Sequence, residues 1–140
     1  MISERELQSL RGKIIVITGA NRGIGLALVR RFVGLGAQVV GVVRSAQAAK
    51  TLAAACADVA VEICELTDDV AVRALAQRVS ARFGHVDVLV NNAGVYLDRG
   101  VPTERLDVEV MRATFATNLF ATVAMCSAFC ELIPRGGRII

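Results

Sequence analysis

Short apolar runs alternate with stretches of helical periodicity along this chain. The first run is KIIVIT, Lys13 to Thr18, β-branched and closed by Gly19; Ile24 to Leu35 then repeats apolar residues at helical spacing before Gly36. The alternation continues through QVVGVV (Gln38 to Val43) and an alanine-rich helix from Ser45 to Ala55, with Ser45 placed as its N-cap. Val59 to Cys64 follows as a strand, then a helix from Asp68 to Phe83, whose opening carboxylates Asp68 and Asp69 suit a helix N-terminus. VDVLVN, Val86 to Asn91, predicts a fourth strand. A loop holding Gly94, Gly100 and Pro102 leads to a long helix from about Glu104 to Ile133, stopped by Pro134 and Gly136-Gly137, and GRII opens a fifth strand in which the chain ends. Uninterrupted apolar strands, each followed by a helix, predict a doubly wound α/β architecture with a parallel sheet covered on both faces. Residues 12–140 make up this one domain, and 1–11 form an N-terminal extension.

Composition narrows the class. The chain has 140 residues, 54% of them hydrophobic and 21% charged, which excludes disorder and low complexity and suffices for one core without disulfides or metals. A net charge of +3 is too weak to point to nucleic acid or a membrane. Its distribution says more: residues 7–57 hold seven basic residues and no acidic one, so an anionic partner belongs on the first third. MISERELQSLRGK lacks an apolar signal region, so the protein is expected to be cytoplasmic. Cys56, Cys64, Cys126 and Cys130 form no CxxC pair and are expected to be reduced, small core residues, with no metal site. The eighteen uncharged residues from Ala113 to Cys130 reach the length of a membrane span, but Thr114, Thr117, Asn118, Thr122 and Ser127 dilute them. They read instead as a helix with apolar residues nearly all round: Phe115, Leu119, Met125, Cys126 and Phe129, with Phe120 and Val123 on other faces. Such a helix needs cover on more than one side, which suggests homo-oligomerisation.

Candidate chemistry sits at the first turn. Thr18-Gly19-Ala20-Asn21-Arg22-Gly23-Ile24-Gly25 places three glycines between a strand and a helix, as a turn does when a phosphate must approach its backbone and a helix N-terminus. A tight turn with no ligand is the alternative on these residues alone. An NAD site usually carries an acid at the end of the second strand. Here Val42-Val43-Arg44 stands at that point, and Arg44 with Arg22 can pair with a 2′-phosphate, so NADP is favoured over NAD. A merely solvated Arg44 remains the alternative.

TGANRGIG (Thr18 to Gly25), NNAG (Asn91 to Gly94) and Asn118 resemble the short-chain dehydrogenase/reductase family, and especially its carbonyl-reductase-like members, from about Gly12 to the end of the chain. The resemblance implies a Rossmann-like fold and hydride transfer between a nicotinamide cofactor and a carbonyl or alcohol carbon. By position, Thr18, Gly19, Asn21, Arg22, Gly23, Ile24 and Gly25 would cradle the diphosphate and 2′-phosphate, with Arg44 completing the phosphate contact. Asn91, Ala93 and Gly94 would line the adenosine ribose and the approach to the nicotinamide, while Asn92 steadies the sheet. Glu65, followed by Leu66, stands where the family has an aspartate on the adenine amine. Asn118 would support the proton relay through a water held by its main chain.

The family's serine, and its tyrosine and lysine four apart, would follow the fifth strand, so they are expected to lie outside these 140 residues. Tyr96 is the single tyrosine, with Gly100 four residues on; it reads as a loop residue, and His85, the one histidine, as a surface residue at the end away from the ligand. The chain is therefore expected to bind cofactor weakly without turnover. A non-catalytic nucleotide-binding or interaction protein, and a truncation product without function, are the other readings.

Overall fold

The computed structural model of the chain describes residues 9–140; residues 1–8, most of the N-terminal extension, lie outside the described residues. Five strands, β1 (Ile14–Thr18), β2 (Gln38–Val43), β3 (Ala60–Ile63), β4 (Val88–Val90) and β5 (Arg138–Ile139), stand in the order β3-β2-β1-β4-β5. Every neighbouring pair is parallel. Helices α1 (Gly23–Gly34), α2 (Ala46–Ala55), α3 (Asp69–Phe83) and α4 (Val108–Leu132) connect them. The architecture is doubly wound α/β and Rossmann-like.

All five residues of β1 are buried, because the sheet is covered on both faces. Its pleat sends Ile14 and Val16 into a cluster with Val72 and Leu75 of α3 and Met125 and Phe129 of α4. Ile15 and Ile17 pack on the other face with Val29 of α1 and Leu52 of α2. Each large side chain buried this way contributes roughly 1.5–3 kcal/mol against exposure. At Gly41 of β2 the approach is close: a methyl group there would meet Leu52 Cδ2 at 2.5 Å and the Ala20 methyl at 3.1 Å.

Helix starts follow their caps. Ser45 Oγ accepts from Ala48 N at 3.2 Å, and Asp68 Oδ1 accepts from Val70 N at 2.8 Å and Ala71 N at 3.2 Å. The same physics corrects the fourth helix. It begins at Val108, not near Glu104, because Asp107 caps it by accepting from Glu109 N at 2.8 Å, while Thr103–Arg105 makes a separate 3₁₀ turn. Nor is it uniform: Ala116–Phe120 forms a π turn in which Ala121 N reaches Ala116 O, and Cys130–Leu132 closes the helix as 3₁₀. The fourth strand is shorter than the run Val86 to Asn91: Val86 N bonds off the sheet, to Leu132 O.

Ala121, Met125 and Phe129 form the row of α4 that the sheet buries, whereas Phe115, Leu119, Phe120 and Val123 stay 46–64% exposed. By length and composition α4 is long and apolar enough to cross a membrane, with mean hydropathy 1.4 in its most apolar window. The buried row is nonetheless what docks it on the sheet. Cys64 is buried and Cys56 and Cys126 are half-buried, but Cys130 is exposed, contrary to the expectation of four core thiols. It falls in the closing 3₁₀ turn, where its thiol donates to Ser127 O at 3.2 Å.

Candidate functional site

The strand order reverses beside β1: the chain moves outward to β2 and β3, then returns to place β4 on the other flank. Connections diverge at such a point and leave a crevice beyond the carboxyl ends of the strands. A cavity of about 640 Å³ occupies it, within the range of about 300–1,000 Å³ usual for small-molecule sites. Its walls come from the ends of four strands: Gly19 and Asn21 to Ile24 after β1, Val42 to Ser45 at the end of β2, Cys64 to Leu66 after β3 and Asn92 to Val95 after β4.

Hydrogen bonds tie the first and last of these walls together. Asn92 Nδ2 donates to Thr18 O at 2.9 Å and Gly19 O at 3.3 Å, and Thr18 Oγ1 accepts from Ala93 N at 3.0 Å while donating to Val90 O at 3.4 Å. Thr18 is 1% exposed, so it acts beneath the cavity and does not line it. Gly25 is also buried below the turn, where a methyl group would overlap the Gly19 carbonyl oxygen and come within 2.6 Å of Asn92 Nδ2. Gly19 and Gly23 have φ of +68° and +54°, which glycine adopts without strain. No atom lies within 4 Å of where a side chain of Gly23 would stand, leaving the backbone open on the cavity side.

The helix that follows is distinctive. α2, α3 and α4 have their first amides capped by Ser45, Asp68 and Asp107, but α1 starts at Arg22 with no side-chain cap and no acid in its first turn. Its free N–H groups and positive dipole end favour an anion. Arg22 and Arg44 both line the cavity and both are exposed, and among the described residues neither has an ion-pair partner. Val43, where an acid would meet a ribose diol, is 2% exposed. Uncapped amides, glycine backbone and paired guanidiniums fit the phosphates of a dinucleotide.

Asn21, Ile24, Glu65, Leu66, Ala93 and Gly94 also line the cavity. Asn91 does not: its Nδ2 lies 3.6 Å from Cys126 Sγ on the α4 face, and its Oδ1 is buried with no partner among the described residues. Asn118 is exposed and sits in the π turn, where its amide holds Val95 from both sides, Oδ1 accepting from Val95 N and Nδ2 donating to Val95 O, each at 2.8 Å. Sequence reasoning missed Gln47, Thr51, Val95 and Thr117, which the fold also brings to the wall. Only the helical phase from Ser45 could have suggested Gln47 and Thr51; Thr117 is aimed by the π turn, which leaves no pattern. Tyr96, 68% exposed, does not line the cavity. His85 lies at the opposite end of the sheet with Nε2 3.2 Å from Asp87 Oδ2.

The short chain dehydrogenase family profile matches residues 13–140. The chain belongs to the short-chain dehydrogenase family. The chain is 38% identical over 136 residues to D-threitol dehydrogenase of Mycolicibacterium smegmatis, covering 94% of the chain and 52% of that protein. It is 33% identical to a 3-oxoacyl-(acyl-carrier-protein) reductase of Salmonella typhimurium, covering 94% and 54%. Among solved structures, a blue fluorescent protein from a metagenomic library in complex with NADPH superposes with a TM-score of 0.80 at 34% identity, covering 93% of this chain and 55% of that one. A metagenomic short-chain oxidoreductase in complex with NADP gives a TM-score of 0.77 at 37% identity, covering 89% and 57%. The chain thus spans about half the length of the relatives it matches. Among the described residues of the cavity wall the one buried ionisable group is Cys64; burial pushes its thiol up, against the nearby Arg78 charge.

Proposed function

We propose that this chain is the NADP(H)-binding portion of a cytoplasmic oxidoreductase that interconverts a carbonyl and an alcohol. The observation that carries the cofactor preference is the convergence of Arg22 and Arg44 on one cavity, with buried Val43 in place of an acid. NADP-bound structures among its neighbours support the same reading. The glycine turn from Gly19 to Gly25 and the uncapped start of α1 would hold the diphosphate. Arg22 and Arg44 would hold the 2′-phosphate, and Glu65 and Leu66 the base. Ala93 and Gly94 would face the ribose and nicotinamide, and Thr18 and Asn92 would support the glycine turn from beneath. Bound there, the nicotinamide supplies a hydride donor or acceptor.

General acid chemistry in the family's manner needs a tyrosine beside a lysine. Among these 140 residues Lys13 Nζ is bound to Asp87 at the far end of the sheet, 2.8 Å away, and Tyr96 does not reach the cavity wall. The 140-residue chain is therefore proposed to bind cofactor without turnover. The exposed Phe115, Leu119, Phe120 and Val123 of α4 are proposed to be covered by a second copy.

Thermal-shift titration with NADPH and NADH tests the site. NADPH is expected to stabilise the protein more than NADH, and Arg44→Ala to weaken NADPH about 10- to 100-fold while leaving NADH unchanged. Stabilisation by neither nucleotide would overturn the reading.

A further inference from the structure

A second cavity, of about 540 Å³, opens between the first turn of α3 and the π turn of α4. Its size falls within the range usual for small-molecule sites. Leu66 lines both this cavity and the nucleotide cavity. The π turn is shared too: Thr117 lines the nucleotide cavity, whereas Ala116 and Phe120 line the second. One leucine and one helical turn are therefore common walls of the two spaces.

The second cavity combines apolar surface with uncompensated negative charge. Val70 and Phe120 line it, 67% and 64% exposed, together with Asp68 and Asp69. No lysine, arginine or histidine lines it, and among the described residues neither aspartate has an ion-pair partner. Asp68 Oδ1 is committed to the cap of α3, but the Asp69 carboxylate makes no hydrogen bond among the described residues. The positive end of α3 opposes a cation there with about half a charge. Two carboxylates outweigh it. The ligand that answers both features is an organic amine, its apolar body against Leu66, Val70 and Phe120 and its ammonium beside Asp69, where the Phe120 ring adds cation–π attraction. An inorganic cation would leave the apolar side chains in water, and a neutral apolar body would leave the carboxylates unanswered.

We propose that this second cavity binds a small apolar amine and that its occupancy raises affinity in the nucleotide cavity. The amine cancels the Asp69 charge, which repels an anionic nucleotide, and it packs on Leu66 and the π turn, which wall that nucleotide. Such coupling is reciprocal, so the nucleotide tightens the amine by the same factor. The binding claim stands on the second cavity alone, and the coupling rests on the nucleotide reading above. A second copy seated on α4 would compete for Phe120.

The test titrates the full chain with 2-phenylethylamine and with 2-phenylethanol, which keeps the ring and chain but carries no charge. The amine is expected to bind about fivefold more tightly, the size of one exposed ion pair. Asp69→Asn is expected to bring the two within about twofold, Asp69→Glu to restore the preference, and Val70→Arg, which sets a guanidinium in the cavity, to abolish amine binding. Asp69 and Val70 are exposed, and thermal unfolding of these variants is expected to stay close to the parent's. Saturating amine is expected to tighten NADPH about threefold in the parent and not in Asp69→Asn, whose affinity for NADPH alone stays within twofold of the parent's. Equal binding of amine and alcohol by the parent, unchanged amine binding in Asp69→Asn or Val70→Arg, or a dimer by sedimentation that binds no amine overturns the site. An NADPH affinity that the bound amine leaves unchanged overturns the coupling. No NADPH binding in the parent overturns the nucleotide reading and the coupling with it, while the amine site is decided by the first titration.

Discussion

Asn118 and Val95 are joined by two hydrogen bonds of 2.8 Å, one in each direction, so a single side-chain amide satisfies both backbone groups of a residue on the cavity wall. The amide comes from the π turn of α4, and the backbone from the loop after β4. Each bond is worth about 0.5–1.5 kcal/mol net. Asn118→Leu, which keeps the shape and removes both, is expected to destabilise the protein by about 1–3 kcal/mol and to speed hydrogen exchange at the Val95 amide. Asn118→Asp keeps the acceptor and loses the donor, so the Val95 amide should stay protected. Equal exchange at Val95 in the parent and Asn118→Leu would show that the pair does not hold this wall.

Two glycine-to-alanine substitutions separate packing from propensity. At Gly25 a methyl group would overlap the Gly19 carbonyl and crowd Asn92 Nδ2, both of which join the glycine turn to β4. Gly25→Ala is expected to cost about 1–3 kcal/mol by overpacking and to abolish NADPH binding. At Gly34, in the last turn of α1, nothing lies within 4 Å of the added carbon. Gly34→Ala is expected to stabilise by about 0.5–1 kcal/mol without touching the nucleotide site. Paired denaturation curves and NADPH titrations check both.

Asp87 makes the far end of the sheet sensitive to acid. Burial alone would raise its pKa, but hydrogen bonds from Lys13 Nζ and Ile14 N, with the charges of Lys13 and His85, outweigh that and hold its carboxyl below the ordinary value. A lowered folded-state pKa means that unfolded chains bind the proton more readily. The stabilisation is complete above about pH 4 to 5 and is lost as pH falls through the folded-state value. Asp87→Asn is expected to lower stability by about 1–3 kcal/mol at pH 7 and to flatten the fall in unfolding temperature below pH 4. A parent and variant with parallel acid limbs would remove Asp87 as its source.

The strands were legible because they are buried on both faces and so appear as unbroken apolar runs: Gln38–Val43 and Ile14–Thr18 need no tertiary information. The glycine turn, Arg22 and Arg44 were legible because backbone conformation and charge are local properties. The start of α4 was not, since Asp107 is one polar residue in a polar stretch and competes there with the 3₁₀ turn of Thr103–Arg105. Asn118 stands out in sequence as an amide in a helix, but its bond to Val95 joins residues 23 apart and exists only after packing. Gln47, Thr51 and Thr117 reach the wall through helix rotation, which no single residue type encodes.

If Arg22 and Arg44 share one phosphate, they must show it in coupling and in salt dependence. Each guanidinium alone can satisfy part of a 2′-phosphate, so Arg22→Ala and Arg44→Ala should each weaken NADPH about tenfold or more. The double variant should differ from the product of the single effects by at least severalfold, because residues on one ligand group do not act independently. Both arginines are exposed, so the attraction is screened. Raising ionic strength from about 0.05 to 0.5 M, where the Debye length falls from over 10 Å to under 5 Å, should therefore weaken NADPH markedly more than NADH. Isothermal titration of the four proteins with both nucleotides decides the matter. Strict additivity, or equal salt slopes for NADPH and NADH, would mean that the two arginines are ordinary solvated surface charges and that the cofactor preference lies elsewhere.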